Sequence, residues 1–302
     1  MNILLTAIGG PAGMSFAKSL REISGIRLVG TNLDEDALGK PFVDSFYTVP
    51  LGTDENYMDA IRRIISKERI DCVIPFVDEE LFFLTKHGET LDAKVLASPH
   101  ETILYTSDKS KTYEVAEEFL PKRRDANTGE FPLFAKLRVG RGGKGAKVIE
   151  NKDELLSLPT DRYVFQEILR GPEVSIDALF DFTGELRAAV PRIRASIVHG
   201  ISVKGIVFEH DTLLEIVRKL SKKMKFAGPI NFQFMLGRDG YKLIEINARG
   251  SGGMGITIAS GVDIPKLAYQ LLTKSTLSEI PSPKVGTYKN FAEVLERQQK
   301  LV

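Results

Sequence analysis

The chain has 302 residues, of which 43% are hydrophobic and 27% charged, as expected for a globular protein of about two domains. Its net charge of +1 excludes the domain-wide basic field of a nucleic-acid-binding protein. No apolar run approaches the length of about 18 residues that a membrane-spanning helix needs, and the first residues predict a strand instead of a leader peptide; we therefore expect a cytoplasmic protein without membrane partners.

The first part of the chain, up to about residue 98, alternates short apolar strands with helices. This pattern predicts a parallel, doubly wound sheet. Cys72 lies in one of the apolar runs, which predicts a buried and inert thiol, and as the single cysteine it excludes an internal disulfide. The predicted strands are 3–8, 27–31, 46–49, 71–77 and 94–97, and the predicted helices follow the glycine cluster at 9–13 and span 54–67.

The glycine cluster raises the question of a dinucleotide site, because Asp34 follows it by about 20 residues, where a ribose-binding acid would stand. The GxGxxG pattern requires a glycine at position 8, however, and the chain has Ile8 there. We favour a different ligand at the carboxyl ends of the strands, with a structural turn and acidic helix caps as the alternative. The residues concerned are Gly10, Asp34, Asp78 and Glu79.

Beyond residue 98 the pattern changes to strands that flank a glycine-rich basic loop. Asp108 is a good cap for a helix, and a later strand over 131–138 carries Lys136. The loop Gly140-Arg-Gly-Gly-Lys-Gly145 follows, and the chain returns in a strand over 146–149. The amides and cations of such a loop can fold over a triphosphate, which Lys136 would reach as a point charge. A mobile surface hairpin is the alternative interpretation.

The next segments predict two strands, over 162–169 and 174–180, whose link can offer free backbone groups to an adenine edge. Glu173 is placed to accept ribose hydroxyls. Arg192 and Arg194 share one face of a later strand, over 186–194. The remaining predicted elements are a short helix over 153–158, a strand over 203–208, a helix over 213–224 with a solvated basic face, a last helix over 263–272 and a peripheral polar tail from Pro281.

The stretch 228–255 predicts a β-hairpin with strands over 231–236 and 241–247. A three-residue turn at 238–240, closed by glycine in the left-handed region, would join them. Side chains alternate along each strand, so the hairpin has one apolar face that we expect to lie in the core. The residues of that face are Phe232, Phe234, Ile244 and Ile246.

The opposite face of the predicted hairpin is polar. The register pairs Gln233 with Glu245 and Asn231 with Asn247, and Arg249 follows directly. One carboxylate and three carboxamides are hard oxygen ligands of the kind that suit Mg²⁺, an ion that shares its remaining positions with water and substrate phosphates. An ordinary hairpin with one hydrated face is the alternative interpretation.

Taken in order, these segments resemble the ATP-grasp superfamily, most closely the short proteins similar to half of the carbamoyl-phosphate synthase large subunit. The resemblance covers nearly the whole chain. It implies a Rossmann-like pre-ATP-grasp domain at 1–98, followed by two α+β ATP-grasp subdomains at 99–170 and 171–302. The motifs that carry it are Asp108-Lys109, Phe131-Pro132 with Lys136, the loop 140–145, the segment 166–173, Gln233 and Glu245-Ile246-Asn247-Ala248-Arg249.

The resemblance also implies a role for individual residues. The expected phosphate-binding residues are Lys109 and Lys136, with Gly142, Gly143 and Lys144 in the covering loop. The expected adenine hinge consists of Gln166, Glu167, Ile168 and Leu169, with Glu173 on the ribose. The expected ligands of Mg²⁺, which Mn²⁺ could replace, are Gln233, Glu245 and Asn247. The expected catalytic residues are Lys136, Arg249, which steadies the transferring phosphoryl group, and Arg192, which with Arg194 would bind the substrate carboxylate, flanked by His199 and Lys204.

The implied activity is an ATP- and Mg²⁺-dependent carboxylate–amine ligase that acts on a small acid and a small amine through an acyl phosphate. The alternatives are an ATP-binding module without turnover, a subunit of a split carbamoyl-phosphate synthase-like enzyme and, more distantly, a nicotinamide oxidoreductase; a homo-oligomer is possible. Gln166 replaces the usual Glu and Ala248 the usual Pro of the family pattern. A second ATP-grasp half and a glutaminase segment are absent from the sequence, so we do not expect this chain alone to make carbamoyl phosphate.

Overall fold

The structure is a computed structural model that describes residues 1–126, 129–140, 142–273 and 277–289. Its strands are β1 (Asn2–Leu5), β2 (Arg27–Asn32), β3 (Ser45–Thr48), β4 (Cys72–Ile74), β5 (Lys94–Val95), β6 (Leu133–Leu137), β7 (Lys147–Ile149), β8 (Tyr163–Gln166), β9 (Glu173–Phe180), β10 (Leu186–Val198), β11 (Ile201–Val207), β12 (Gly228–Gly237), β13 (Gly240–Asn247) and β14 (Gly286–Lys289). Its helices are α1 (Pro11–Leu20), α2 (Tyr57–Glu68), α3 (Asp78–Lys86), α4 (His100–Ser107), α5 (Lys109–Ala116), α6 (Lys152–Leu156), α7 (Asp211–Lys223), α8 (Met254–Ala259) and α9 (Ile264–Thr273).

The first five strands form a parallel sheet in the order β3-β2-β1-β4-β5, which confirms the predicted doubly wound arrangement. Side chains of β1 alternate between the two faces: Ile3 packs in the same cluster as Phe16 of α1, and Leu4 in the same cluster as Ile61 of α2. Cys72 is fully buried in this sheet, and burial raises the pKa of its thiol to about 12. The thiol is therefore uncharged at neutral pH, as predicted.

The second large sheet contains six strands in the order β13-β12-β9-β10-β11-β14. Its neighbouring strands are all antiparallel. One face is apolar and packs against α7, whose Leu213 and Val217 lie in one buried cluster with Phe232 and Phe234 of β12. The other face carries the polar residues of the predicted site, so the sheet separates a core from a cavity.

A third, smaller sheet has the order β7-β6-β8 and is antiparallel. The glycine-rich loop connects β6 to β7, as predicted, although Arg141 lies outside the described residues. Asp108 caps α5 by accepting a hydrogen bond from the backbone N–H of Ser110, which confirms the predicted cap. Within the described ranges, no helix is both long enough and apolar enough to cross a membrane.

The hairpin of β12 and β13 corrects two predictions. Gly237 pairs with Gly240, so the turn has two residues instead of the predicted three, while Gln233 still pairs with Glu245. The two registers differ by one residue, and a β-bulge at Ile244 absorbs the difference. The bulge reverses the alternation beyond it, so that Leu243 faces the core in place of Ile244, which lines the cavity.

Four elements were missing from the sequence prediction, namely α3, α4, α8 and β14. The helix α4 has weak amphipathic periodicity and three β-branched residues, and α8 follows a glycine-rich run. The strand β14 lies in the tail that we expected to be peripheral, and backbone pairing attaches it to β11. The prediction for the rest of that tail, residues 290–302, falls outside the described residues.

Candidate functional site

A cavity of about 1000 Å³ opens between the polar face of the six-stranded sheet, the three-stranded sheet and the first domain. Among the described residues that line it, six side chains are cationic and two are acidic. This excess of positive charge favours a polyanionic ligand. The cationic residues are Lys109, Lys136, Lys144, Arg192, Arg194 and Arg249, and the acidic residues are Glu173 and Glu245.

The strand register arranges the polar residues in rows across the sheet. Glu245 lies opposite Gln233, Gln233 opposite Ser175, and Ser175 opposite Arg192. Rows two residues away on these strands point to the same face. One such row contains Asn247, Asn231 and Asp177, and another contains Met235, Glu173 and Arg194.

Lys136 lies on β6 and reaches across the cavity to the hairpin. Its Nζ donates a hydrogen bond to the carbonyl oxygen of Ile244 at 3.3 Å. Ile244 is the bulged residue, so its carbonyl is available to Lys136 because the bulge interrupts the regular ladder. Burial lowers the pKa of Lys136 to about 8, although the charge of Glu245 opposes this shift. Lys136 is therefore a charged group that a bound anion would stabilise.

Lys109 begins α5 and lies between the hairpin and the glycine-rich loop. Its Nζ is 3.7 Å from the Glu245 carboxylate and donates to the carbonyl oxygen of Gly140 at 3.2 Å. The Asp108 carboxylate beside it accepts a hydrogen bond from Arg138 at 2.7 Å. This ion pair holds the start of α5 against the end of β6, so the two predicted phosphate-binding lysines converge on the carboxylate of Glu245.

The predicted metal ligands Gln233, Glu245 and Asn247 come together beside these lysines. Among the described residues, no group of three His, Cys, Asp or Glu side chains could hold a metal ion by itself. Gln233 donates its amide N–H to Asn231, and the Asn247 amide oxygen accepts a hydrogen bond from Arg249 at 3.2 Å. One carboxylate with amide oxygens fits a hard cation that takes most of its ligands from phosphate and water, and so the residues present fit Mg²⁺.

Arg249 joins the site to the first domain. Its Nε and Nη2 donate to the two carboxylate oxygens of Asp78 at 2.9 and 3.1 Å. Asp78 is the first residue of α3, and the sequence had suggested it as part of a ligand site at the strand ends. Gly10 of that set lines the cavity. Asp34, in contrast, is exposed and accepts a hydrogen bond from the backbone of Asp36, so its predicted place in the site was wrong.

The predicted adenine hinge follows β8. Gln166 is buried, and its amide oxygen accepts a hydrogen bond from Tyr113. Ile168 and Leu169 line the cavity. The Glu167 side chain points to the outer side of the hinge, where its carboxylate accepts the backbone N–H of Lys122 at 2.7 Å. Glu167 can therefore face the cavity only through its backbone.

Glu173 and Arg194 form an ion pair at the edge of the cavity. Arg194 also donates to the carbonyl oxygen of Gly200, in the turn between β10 and β11. A Cβ on Gly200 would lie 3.5 Å from Gly142, so this turn touches the glycine-rich loop. Arg194 is thus paired in this structure, and the bidentate carboxylate clamp with Arg192 stays a prediction. His199 lines the cavity and Lys204 does not, which corrects the prediction for Lys204.

Two family matches together cover most of the chain. Residues 160–294 match the family described as ATP-grasp in the biosynthetic pathway with Ter operon, and residues 3–96 match the PylC-like N-terminal domain. Over residues 160–294 the chain belongs to the ATP-grasp superfamily. This confirms the resemblance inferred from the ordered motifs of the sequence.

Known proteins similar to this ATP-grasp chain include carbamoyl-phosphate synthase from Methanobrevibacter smithii, with 26% identity over 78% of the chain and 71% of the relative. The carbamoyl phosphate synthase large chain of Thermoplasma acidophilum is 24% identical over 75% of the chain, but the chain spans only 25% of that protein. Among solved structures, the biotin carboxylase domain of Hydrogenobacter thermophilus 2-oxoglutarate carboxylase, crystallised with MgADP, has a TM-score of 0.74 and 17% identity over 92% of the chain and 71% of that structure. This last likeness shows the ATP-grasp fold.

Sequence reasoning missed several residues of this ATP-grasp site. Asp177 is fully buried and accepts hydrogen bonds from Arg192 and Asn231, and Ser251 accepts a hydrogen bond from Arg192 at 3.1 Å. An acidic residue two positions beyond Ser175 on a strand that is otherwise apolar was the available signal for Asp177. Ser251 lies in a glycine-rich loop, whose conformation the sequence pattern does not determine.

Proposed function

We propose that this chain is an ATP- and Mg²⁺-dependent carboxylate–amine ligase that forms an acyl phosphate and releases ADP. The observation that carries the proposal is the convergence of Lys109, Lys136 and Arg249 on a cavity face that presents Glu245 beside two amide side chains. The family membership of the chain agrees with this reaction class. The substrates are a small carboxylic acid and a small amine.

The first step joins the acid to phosphate. A carboxylate oxygen of the acid attacks the γ-phosphorus of ATP, the bond from that phosphorus to the β–γ bridging oxygen breaks, and ADP leaves with the electron pair. Lys136 and Lys109 offset the negative charge of the phosphates, and Arg249 binds the oxygens of the phosphoryl group as it moves. Glu245, Gln233 and Asn247 would hold Mg²⁺, which when bound would supply charge neutralisation for the phosphates.

The second step forms the carbon–nitrogen bond. A neutral amine attacks the acyl carbon, inorganic phosphate leaves with the electron pair, and the amine loses a proton to water or phosphate. This route requires no protein nucleophile, which agrees with the buried, uncharged thiol of Cys72. The protein contributes positioning and charge in both steps.

The remaining nucleotide contacts extend the same proposal. The hinge backbone after Gln166 and the side chains of Ile168 and Leu169 receive the adenine, and Glu173 accepts the ribose hydroxyls. The loop residues Gly142, Gly143 and Lys144 cover the phosphates. We expect that Mn²⁺ can take the place of Mg²⁺ at this site, because both ions prefer oxygen ligands.

The three-part division is also a proposal, with a pre-ATP-grasp domain at 1–98 and ATP-grasp subdomains at 99–170 and 171–302. The parallel sheet ends at Val95 and the small sheet at Gln166, whereas the six-stranded sheet starts at Glu173, which supports both boundaries. The second candidate is a subunit of a split carbamoyl-phosphate synthase-like enzyme, since three quarters of the chain is similar to part of a carbamoyl phosphate synthase large chain. We expect such a subunit, or a homo-oligomer, to appear as a complex in light scattering.

The test is phosphate release from MgATP in the presence of pooled carboxylic acids and pooled amines, with product amides identified by mass spectrometry. A ligase releases phosphate only when an acid is present and forms an amide only when an amine is added. If MgATP binds but no pool increases phosphate release above the background without acid, the chain is an ATP-binding module and the proposal is wrong.

The affinity for ATP should fall as the pH rises through about 8, because Lys136 loses its proton there. The pKa of Lys136 is lowered in the free protein and rises when phosphates bind, so the charged form binds more tightly and is lost above pH 8. We expect a loss of up to about tenfold per pH unit in isothermal titration calorimetry with metal-free ATP. Lys136→Arg keeps its charge and should show a flat profile over the same range. A flat profile for the wild-type protein would contradict the prediction.

Replacing Arg194 by glutamine should tighten ATP binding by about three- to tenfold. In the free protein Arg194 occupies the carboxylate of Glu173, so the ribose must displace it, and a partly buried ion pair of this kind is worth about 1 kcal/mol. Calorimetry measures the dissociation constant, and Arg187→Gln, which removes an ion pair to Asp181 remote from the cavity, is the matched control. Weaker binding in Arg194→Gln would mean that Arg194 itself contacts the nucleotide.

A further inference from the structure

Arg192 is a fully buried cation that is only partly satisfied. Its side chain is 1% exposed, its Nε and Nη2 lie 3.3 Å from Asp177, and Nη2 also donates to Ser251. Its Nη1 is buried and has no hydrogen-bond partner among the described residues. A buried donor without a partner has lost its hydration and gained no bond in return, and the cost is larger on a charged group. Such a cost is expected in a native protein where a ligand completes the bonding.

The hydrogen bonds around Asp177 hold Arg192 in one orientation. The Asp177 carboxylate accepts from Asn231 at 2.9 Å and from Thr257 at 2.6 Å, in addition to Arg192. Asn231 in turn accepts from Gln233, one of the proposed Mg²⁺ ligands. The guanidinium of Arg192 therefore belongs to a rigid network that continues to the phosphate end of the cavity.

The sheet register gives the distance of Arg192 from that end. Arg192 is opposite Ser175, which is opposite Gln233, so Arg192 and Gln233 are two strands apart in one row. Neighbouring strands are about 4.8 Å apart, which places the two backbones about 10 Å from each other. Side chains from both positions point to the same face. Arg192 is therefore placed to bind a second reactant that lies beside the transferring phosphoryl group.

The loop 250–253 separates Arg192 from the first domain. A Cβ on Gly253 would lie 2.3 Å from Nη2 and 2.8 Å from Nη1 of Arg192, so Gly253 shields the guanidinium. On the other side of the loop, a Cβ on Gly250 would lie 3.6 Å from Phe76 of the first domain. Because glycine leaves the backbone free to shift and lets a ligand approach closely, a small anion can reach Nη1 when this loop moves.

The first-domain residues that line the cavity are all uncharged, and Asp78 next to them is already paired with Arg249. An ammonium group or a second carboxylate placed there would lose water without gaining a charged partner from these lining residues, which is unfavourable. An uncharged group pays no such penalty. The lining residues of this wall are Ala7, Gly10, Pro11, Ala12, Gly13, Phe76 and Val77.

We propose that Nη1 of Arg192 binds the carboxylate of the acid substrate, and that this acid is a monocarboxylate with an uncharged body that lies against the first-domain wall. The proposal rests on the ligase function proposed above and names its substrate class. A single free donor holds one carboxylate oxygen and leaves the other oxygen to attack the γ-phosphorus. A bidentate clamp would occupy both oxygens of the acid. Because Asp177 and Ser251 already bind the Nε and Nη2 of Arg192, only Nη1 is left for the acid, and one of its oxygens stays free to react.

The experiment is calorimetric binding of pooled acids to the MgADP-loaded protein, with separate pools of uncharged monocarboxylic acids, dicarboxylic acids and α-amino acids. The expected result is binding of the monocarboxylic pool alone, followed by identification of the acid within it. Arg192→Lys keeps a positive charge beside Asp177. It should lower the affinity of the protein for the acid at least tenfold and change its affinity for MgADP less than twofold. Arg187→Lys, on the surface, is the matched control and should change neither.

A second variant covers the case in which Arg192→Lys does not fold. Gly253→Ala keeps Arg192 and Asp177 in the sequence but would place a Cβ 2.3 Å from Nη2, so the guanidinium must shift, and binding of the same acid should weaken at least tenfold. Gly252→Ala, whose Cβ would lie 3.2 Å from the flexible side chain of Ile201, is its control. Unchanged acid affinity in both Arg192→Lys and Gly253→Ala, binding of amino acids or dicarboxylates instead, or no binding from any pool overturns the inference. An acid that binds through Arg192 without any phosphate release overturns the proposed ligase function and leaves the carboxylate site standing.

Discussion

Replacing Glu245 by glutamine is expected to lower acid-dependent phosphate release from MgATP by about a hundred- to a thousandfold. Glu245 is the single carboxylate among the proposed Mg²⁺ ligands, and glutamine keeps its shape while removing its charge. The same carboxylate lies 3.7 Å from Lys109 and opposes the loss of charge on Lys136. Its removal therefore weakens the metal site and lowers the pKa of Lys136 at once. The measurement is the turnover number at saturating MgATP.

Binding of ATP without metal separates these effects from a folding defect. Glutamine removes a negative charge beside the phosphates, so at a pH low enough to keep Lys136 protonated Glu245→Gln should bind metal-free ATP at least as tightly as the wild-type protein, while Mg²⁺ no longer improves binding. Glu185→Gln, on the surface beside Arg187, is a matched control that should keep full activity. An unchanged Mg²⁺ dependence in Glu245→Gln would remove Glu245 from the metal site.

The predictable part of the fold is the part in which local pattern and long-range pairing agree. In the first domain, short and continuously apolar strands alternate with helices. This pattern indicated a parallel sheet, because both faces of such a sheet are buried. The pairing of Gln233 with Glu245 was also correct, since a hairpin joins neighbouring segments. The bulge was not predictable, because Leu243 and Ile244 are both apolar and the pattern does not say which one faces the core.

The site shows where sequence reasoning stops. Arg192 and Arg194 are two residues apart and share a face, as predicted, but their partners come from other strands. Arg194 lies beside Glu173, whereas Arg192 is held by Asp177, so one is paired at the cavity edge and the other is buried with a free nitrogen. These differences depend on the register between strands that are separated in sequence, which local periodicity does not contain.

Arg249 connects the proposed phosphoryl-transfer site with the first domain. Of its five N–H donors, two bind Asp78, one binds Gly250 and one binds Asn247, which leaves one N–H on Nη1. The ion pair with Asp78 spans 171 residues of sequence and connects α3 with the end of β13. The orientation of the remaining Nη1 N–H of Arg249 therefore depends on a contact between the first domain and the six-stranded sheet.

Arg249→Lys should accordingly lower the turnover number by about a hundredfold and change the KM for ATP less than threefold, because the lost hydrogen bond belongs to the transferring phosphoryl group. Lysine keeps the charge but cannot bind Asp78 at two points.

Asp78→Asn separates the effect of the orientation of Arg249 from the effect of its positive charge, since it leaves Arg249 in place and removes only the carboxylate that orients it. We expect a smaller fall in turnover, about tenfold, and for both variants a loss of about 1 kcal/mol in the free energy of unfolding, because the pair is partly exposed. Turnover and denaturant unfolding measure the two effects separately. If Asp78→Asn lost stability but kept full turnover, the contact between the first domain and the sheet would serve the fold alone, and Arg249 would be oriented by Asn247 and the loop backbone.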